Sequence, residues 1–167
     1  MGQNAPARPP LDWSGKAPFP FTRESTIRLD AEGRFFHEGA LVEHPGLARA
    51  MHTWISRHPD DGRWVLENGW DWCYLVVDDT PLTVRSAKID GDAIEVTLSD
   101  GSIERIDPTM LRLADDGSLR CEVKAHARRG PYPARFDRHA MIALGEVLNE
   151  RDGRTILTIS GREVPIG

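Results

Sequence analysis

The sequence predicts an α+β fold made of two lobes, each with mostly antiparallel strands packed by one helix. The first observation is a tripeptide used twice. Asp61-Gly62-Arg63 and Asp152-Gly153-Arg154 each follow a segment with helical periodicity and precede a short apolar run. The second is an upstream echo, in which residues 27–33 resemble residues 111–117. Signals that recur in the same order are typical of an internal duplication, so we expect two halves built alike.

The first half carries signals for strand, turn and helix in succession. Glu32-Gly33 marks a turn between two short strands. Pro45 suits the first position of a helix, where its missing N–H costs nothing, and apolar residues follow it at helical spacing. Pro59 and the acidic residues and glycine after it predict the end of that helix. The strands expected next are 64–66 and 72–77, joined by a hairpin turn at Asn68-Gly69.

The second half indicates a meander of strands followed by a helix. From Pro81 onward apolar residues are spaced largely by two. Asp90-Gly91 and Asp100-Gly101 are hairpin signals, because glycine adopts positive φ at little cost. A second helix is predicted over residues 138–150, with Asp137 as its N-cap. The last strands are expected at residues 155–159 and up to Ile166.

These signals predict three segments. Residues 1–25 form a proline-rich extended arm, which Trp13, Phe19 and Phe21 could pin to the body; the alternative is a partly ordered tail. Residues 26–80 form an N-terminal α+β lobe, and residues 81–167 form a C-terminal lobe. A division near Pro81 predicts a cleft between the lobes.

Composition excludes several classes of function. The chain has 167 residues and a net charge of −5, so general nucleic-acid binding is disfavoured. It has no apolar run of about 18 residues and no apolar signal-peptide core, which predicts a cytoplasmic protein without a membrane span. Cys73 and Cys121 have no spacing motif, so we expect buried thiols rather than a disulfide.

Several short motifs in a particular order point to one family. In the first half they are residues 33–39 (Gly33 to Gly39), Asp61-Gly62 and residues 77–82. In the second half they are Arg129-Gly130, residues 134–138 and residues 160–167. Over residues 26–166 this pattern resembles a bacterial family known as domain of unknown function 1285. The chain departs from the usual family pattern at residues 68–72 and 130–133.

The resemblance implies a duplicated two-lobed fold whose C-terminal lobe is similar to pleckstrin-homology domains. It also implies a ligand site between the lobes, suited to a nucleotide-like molecule, and a role in signalling. No catalytic activity is implied.

The segment from His126 to Arg138 is the strongest chemical feature of the sequence. Arg128, Arg129, Arg135 and Arg138 crowd a loop that leads into the second helix, and guanidinium groups bind phosphate or carboxylate bidentately. Tyr132 could stack on a ring. We therefore predict an anion site here. The alternative is that these arginines pair with nearby carboxylates on the surface.

Other residues are candidates for supporting roles. Arg34 is expected to assist at the ligand. Asp78 and Asp79 offer carboxylates that could accept a hydrogen bond from a ribose or a partner arginine across the cleft, or they could form a solvated turn that joins the lobes. Trp70 and Trp72 crowd one turn, and an exposed ring there could contact a protein partner, so a protein-interaction adaptor is the second hypothesis.

Enzymatic function has little support in the sequence. No G-x-S-x-G elbow, P-loop or nucleotide-binding glycine fingerprint occurs. The gaps between His37, His44, His52 and His58 match no zinc signature. We expect no catalytic residues, no metal and no cofactor, and a hydrolase remains a third and weaker hypothesis.

Overall fold

The computed structural model describes residues 9–14, 17 and 22–167. Within them the predicted α+β class is confirmed: the chain is mostly sheet, the sheets are mainly antiparallel, and there are two α-helices. The division at Pro81 stays a prediction, and we use the names N-terminal lobe and C-terminal lobe for residues 26–80 and 81–167.

The N-terminal lobe contains two small sheets and one helix. Its elements are β1 (Ile27–Leu29), β2 (Phe35–His37), β3 (Ala40–Leu41), α1 (Pro45–Trp54), β4 (Ile55–Arg57), β5 (Trp64–Glu67), β6 (Trp72–Tyr74) and β7 (Val76–Val77). The strand orders are β3-β2-β1-β7 and β4-β5-β6. Only β1 and β7 pair in parallel among these strands.

The C-terminal lobe is built around a curled, half-barrel sheet. Its elements are β8 (Leu82–Asp90), β9 (Ala93–Leu98), β10 (Ile103–Ile106), a 3-10 turn (Pro108–Met110), β11 (Arg112–Leu113), β12 (Leu119–Val123), β13 (Tyr132–Phe136), α2 (Arg138–Leu144), β14 (Leu148–Arg151), β15 (Arg154–Ile159) and β16 (Arg162–Ile166). The half-barrel has the order β10-β9-β8-β13-β12-β11, with β8 and β13 parallel, and β14-β15-β16 forms a second sheet.

Both helices begin where the sequence predicts. Pro45 is the first residue of α1, and the His44 ring accepts a hydrogen bond from the Leu47 amide at 3.1 Å. Asp137 caps α2, because its carboxylate accepts from the Ala140 amide at 2.8 Å. Capping depends on side chains within a few residues of each other, so the local sequence suffices to predict it.

Both helices end earlier than predicted. The expectation that α1 continues to Pro59 is wrong, because Ile55 enters β4 and pairs with Leu66. The expectation that α2 continues to Glu150 is also wrong, because the chain enters β14 and Leu148 pairs with Leu157. In each case pairing with the following strand competes successfully with helical periodicity.

The same order of elements occurs in each lobe. Three strands, a helix and three strands follow one another as β1–β3, α1, β4–β6, and again as β11–β13, α2, β14–β16. Each Asp-Gly-Arg tripeptide lies at the hairpin turn between the first two strands after its helix. The turns in the two similar segments, residues 27–33 and 111–117, have the same backbone hydrogen bond. The Gly33 amide donates to the Asp30 carbonyl at 3.0 Å, and the Gly117 amide donates to the Ala114 carbonyl at 2.8 Å.

Each lobe has its own cluster of buried side chains. One contains Leu29, Phe35, Met51, Ile55, Leu66 and Leu75, and the other runs from Leu82 to Ile166. Trp64 on β5 packs against both clusters. Cys121 is buried as predicted, which raises the pKa of its thiol to about 12, whereas Cys73 is half-buried.

The described part of the arm packs on the N-terminal lobe. The Trp13 ring lies 5.2 Å from Trp72, centroid to centroid, and Trp72 Nε1 donates to the Asp12 carbonyl at 2.8 Å. Phe19 and Phe21, also predicted as pinning residues, lie outside the described residues. In the part of the chain that the structure describes, no helix is long and apolar enough to span a membrane.

The loop between β12 and β13 is tightly packed at Gly130. A Cβ built on Gly130 would overlap the carbonyl oxygen of Lys124. We expect Gly130→Ala to lower the free energy of unfolding by more than 2 kcal/mol, because backbone rather than a flexible side chain must move. Gly91→Ala is the control: its φ is +63° but no atom lies within 4 Å of the added carbon, so it should cost about 1 kcal/mol. Urea unfolding measures both, and equal losses would contradict the prediction.

Candidate functional site

A cleft of about 700 Å³ lies between the lobes. We call it the interlobe cleft. The turn between β1 and β2 lines it from the N-terminal lobe, and β8, the turn between β11 and β12, β13 and α2 line it from the C-terminal lobe. Its lining residues are Ala31, Glu32, Thr83, Arg85, Asp116, Gly117, Ser118, Arg135, Phe136, Asp137, Arg138, His139, Met141 and Ile142.

Arg135 lines the cleft and is paired with Arg120, which is not one of the lining residues. Arg120 and Arg135 are direct partners on β12 and β13. Arg120 Nη1 lies 2.6 Å from Asp79 Oδ1, and Arg135 Nη1 lies 3.3 Å from Asp79 Oδ2. Asp116 is more distant, with Oδ2 at 3.5 Å from Arg120 and 3.8 Å from Arg135. Two carboxylates therefore hold two guanidinium groups side by side.

Two further arginines stand where β13 leads into α2. Arg85 Nη1 lies 3.6 Å from Asp137 Oδ2, and that carboxylate is already committed to capping α2. Arg138 is exposed, and no described carboxylate lies within 4 Å of it. His139, also exposed, is its neighbour. The cleft thus has cationic groups that carboxylates neutralise only in part.

Apolar side chains also line the cleft, on and next to α2. Phe136 is buried beneath the cleft, Met141 is half-buried, and Ile142 exposes 66% of its surface. Together with Ala31 these side chains form an apolar wall. A molecule in this cleft would meet apolar side chains next to charged ones, since Arg138 precedes Met141 and Ile142 by three and four residues on α2.

The lobes touch closely at Gly33, beside the cleft. Gly33 has a φ of +79°, and an added Cβ would lie 2.9 Å from Arg85 Nη2 and 3.0 Å from Thr83 Oγ1. The backbone conformation therefore favours glycine, whereas the nearest atoms are side-chain ends, of which the flexible Arg85 end can shift. Gly33 thus brings the N-terminal lobe close to Arg85.

A second cleft of about 520 Å³ lies on the α1 side of Gly33 and is lined partly by Arg34, Arg49 and His52. The His52 ring is buried, and its Nδ1 has no hydrogen-bond partner among the described residues. Burial, aided by the positive charge of Arg85, lowers the pKa of His52 to about 4. His52 is therefore neutral at neutral pH.

The two loop arginines predicted to bind the ligand do not line the interlobe cleft. Arg128 is exposed on the loop between β12 and β13. Arg129 donates to the Arg57 carbonyl at 3.0 Å and to Ser56 Oγ at 3.4 Å, and its guanidinium lies 4.5 Å from the centre of the Trp13 ring. It ties the loop to β4 and to the arm.

Arg34 and Asp78 are also engaged elsewhere. Arg34 Nε donates to Asp30 Oδ2 at 2.8 Å, and Arg28 Nε donates to Asp78 Oδ1 at 2.8 Å. All six residues predicted to bind the ligand are described by the structure, and of these Arg135 is the one that lines the interlobe cleft.

The predicted aromatic contacts separate into buried and exposed rings. Tyr132 forms a T-shaped contact with Trp64, with ring centroids 5.4 Å apart, and is only 7% exposed, so little of its ring is left for a ligand. Trp72 is 3% exposed and packs on His58. Trp70, on the turn between β5 and β6, is 73% exposed. Trp70 can therefore meet a partner, whereas Trp72 supports the turn from within.

Arg85, Asp116 and Arg120 were not predicted as site residues. Asp79 was predicted, with Asp78, as a carboxylate that could accept from an arginine, and its contacts with Arg120 and Arg135 show which arginines it meets. Among the described residues, no group of three or more histidine, cysteine, aspartate or glutamate side chains is arranged to hold a metal ion.

Two solved structures share this fold. A DUF1285 family protein from Silicibacter pomeroyi DSS-3 is 22% identical, with a TM-score of 0.63 over 86% of this chain and 80% of that one. A DUF1285 family protein from Shewanella baltica OS155 is 18% identical, with a TM-score of 0.53 over 70% of this chain and 87% of that one. No family model and no curated protein matches the sequence. The resemblance noted from the motifs is thereby confirmed at the level of the fold.

His52 makes stability depend on pH. Its folded pKa of about 4 lies below the ordinary value of 6.5, so between these values the unfolded chain takes up a proton that the folded chain does not. Stability should therefore fall by roughly 3 kcal/mol as the pH drops from 6.5 to 4. His52→Phe should lose this part of the dependence, while His37→Gln, which removes an exposed histidine, should keep it. Urea unfolding at several pH values measures the slope, and an unchanged slope in His52→Phe would contradict the assignment.

Proposed function

We propose that this chain is a noncatalytic ligand-binding or signalling module of the DUF1285 type, acting in the cytoplasm, and that a small nucleotide-like anion binds in the interlobe cleft. The observation that carries the proposal is the cleft itself. Its lining combines Arg85, Arg135 and Arg138 with the apolar side chains of Met141 and Ile142.

The chemistry of the lining favours a molecule with both an anionic group and a ring. Guanidinium groups bind phosphate oxygens bidentately, and the apolar wall suits the face of a ring. Glu32 and Asp116, which also line the cleft, can accept hydrogen bonds from amino or hydroxyl groups. A volume of about 700 Å³ is in the range of small-molecule sites.

The proposed ligand contacts therefore differ from the sequence-based set. Arg135 remains, Arg138 is retained from the same basic segment, and Arg85 and His139 are added. Arg129 belongs to the contact between the lobes instead.

Two finer features of the fold belong to the same proposal. We propose that the two lobes arose by internal duplication, which is supported by the recurring order of three strands, helix and three strands. We also propose that the C-terminal lobe is related to pleckstrin-homology domains, since its curled, mainly antiparallel sheet is accompanied by a helix that follows β13.

Thermal-shift measurements with ATP, GTP and pyrophosphate at millimolar concentration test the proposed ligand class. A ligand present at 100 times its Kd should stabilise the protein by about 2.7 kcal/mol, which corresponds to a rise in Tm of roughly 5–10 °C. Arg138→Ala and Arg85→Ala should reduce that rise, because each removes a cation from the cleft wall.

Arg128→Ala is the matched control for these variants, since Arg128 is an exposed arginine outside the cleft. It should respond to the ligands as the unmodified protein does. Absence of a shift with every anion, or an equal loss in Arg128→Ala and Arg138→Ala, would overturn the proposal.

The exposure of Trp70 supports the second candidate function, a protein-interaction adaptor. A tryptophan that is 73% exposed on a tight turn offers a large apolar contact. In a pull-down from the native cytosol, Trp70→Ala should lose a partner that Ile103→Ala retains, because Ile103 is similarly exposed but lies on β10 in the other lobe. Retention by Trp70→Ala would exclude this surface.

A further inference from the structure

The Nη2 atoms of Arg120 and Arg135 together form a binding position for one oxygen atom. Their Nη1 atoms point to Asp79, whereas their Nη2 atoms both face Asp116 Oδ2, at 3.5 and 3.8 Å. These separations are longer than the 2.7–2.9 Å of a charge-assisted hydrogen bond. The two Nη2 groups are thus turned toward an oxygen that does not bind either of them closely.

The two carboxylates of this network play different parts. The Asp79 side chain is 16% exposed and accepts a hydrogen bond from each arginine, at 2.6 Å from Arg120 and 3.3 Å from Arg135, so it positions the arginine pair. The Asp116 side chain is 49% exposed, lies on the turn between β11 and β12, and lines the cleft.

Asp116 is oriented by its own turn rather than by the arginines. Its Oδ1 accepts from the Ser118 amide at 2.9 Å and from Ser118 Oγ at 2.5 Å, which leaves Oδ2 directed at the guanidinium groups. These hydrogen bonds, aided by the charges of Arg120 and Arg135, lower the pKa of Asp116, so the carboxylate stays charged at neutral pH.

We infer that Asp116 is an internal competitor for the anionic group of the ligand. This inference rests on the proposed function. A phosphoryl oxygen takes the position of Asp116 Oδ2 between the two Nη2 groups, where it forms two close hydrogen bonds. The ligand must therefore displace a negative charge, which favours multiply charged phosphate groups over singly charged carboxylates.

The charge of Asp116 can be removed while its turn is kept. In Asp116→Asn the side-chain oxygen can still accept from Ser118, but the repulsion of an incoming anion is gone. We expect Asp116→Asn to bind inorganic pyrophosphate about 10-fold more tightly than the unmodified protein at low salt, with a smaller difference at high salt.

Asp115→Asn is the matched control, because Asp115 is exposed, adjoins Asp116 on the same turn and gives the same change in net charge. It should bind pyrophosphate within about 2-fold of the unmodified protein. Arg135→Ala should weaken binding in either background. Asp116→Ser serves as a second charge-removing variant should Asp116→Asn fail to fold, as judged from the Tm of the unliganded protein.

Isothermal titration with pyrophosphate separates the outcomes. Tighter binding in Asp116→Asn or Asp116→Ser, but not in Asp115→Asn, supports the inference. If the unmodified protein binds pyrophosphate and the Asp116 variants bind it equally or less tightly, the competitor role is overturned while the proposed function stands. If the Asp115 and Asp116 variants bind pyrophosphate equally more tightly than the unmodified protein, the change in net charge alone explains the effect, and the inference is overturned. If no variant binds pyrophosphate, both the inference and a phosphate-binding function are overturned.

Discussion

The carboxylate of Asp79 is the constraint on which the interlobe cleft depends. It lies in the short segment between β7 and β8, and it contacts Arg120 and Arg135 on two neighbouring strands. A largely buried charge is stable only when it is paired and hydrogen-bonded, so the segment and both strands must keep their relative positions. Parallel pairing of β8 with β13 follows directly after this segment. One acid group therefore joins the connection between the lobes to the cationic wall of the cleft.

Contacts elsewhere along the interface maintain the cleft from other directions. Gly33 packs against Arg85 at one side. At another, Arg129 donates to β4, and Arg57 lies 4.0 Å over the ring of Trp64, which packs against both clusters of buried side chains. Guanidinium groups suit such a junction because they bind carbonyls and stack on rings at the same time. Arg129, which the basic sequence segment offers to a ligand, is thus used to hold the lobes together.

Sequence patterns predict those parts of this structure that depend on near neighbours. Turn glycines, the N-cap at Asp137 and the start of α1 at Pro45 involve residues a few positions apart, and the structure confirms them. The helix ends at Trp54 and Leu144 depend on pairing with a later strand, which local periodicity does not contain. The site residues also divide into those that the local sequence indicates and those that only long-range contacts bring to the site. The basic segment before α2 indicates Arg135 and Arg138, whereas the Asp79 contacts join residues 41 and 56 positions apart.

A cleft in which arginines and carboxylates are interspersed can still select an anion. Arginines already held by carboxylates lose little conformational freedom when a ligand arrives, so less of the binding energy is consumed in ordering them. A ligand that must exchange with an existing carboxylate is chosen by its charge and geometry rather than by attraction alone. The chain carries a net charge of −5, which opposes nonspecific polyanions while leaving this local arrangement intact. Under the proposed function, local pairing within an acidic protein would therefore favour a small, multiply charged ligand over a nucleic-acid backbone.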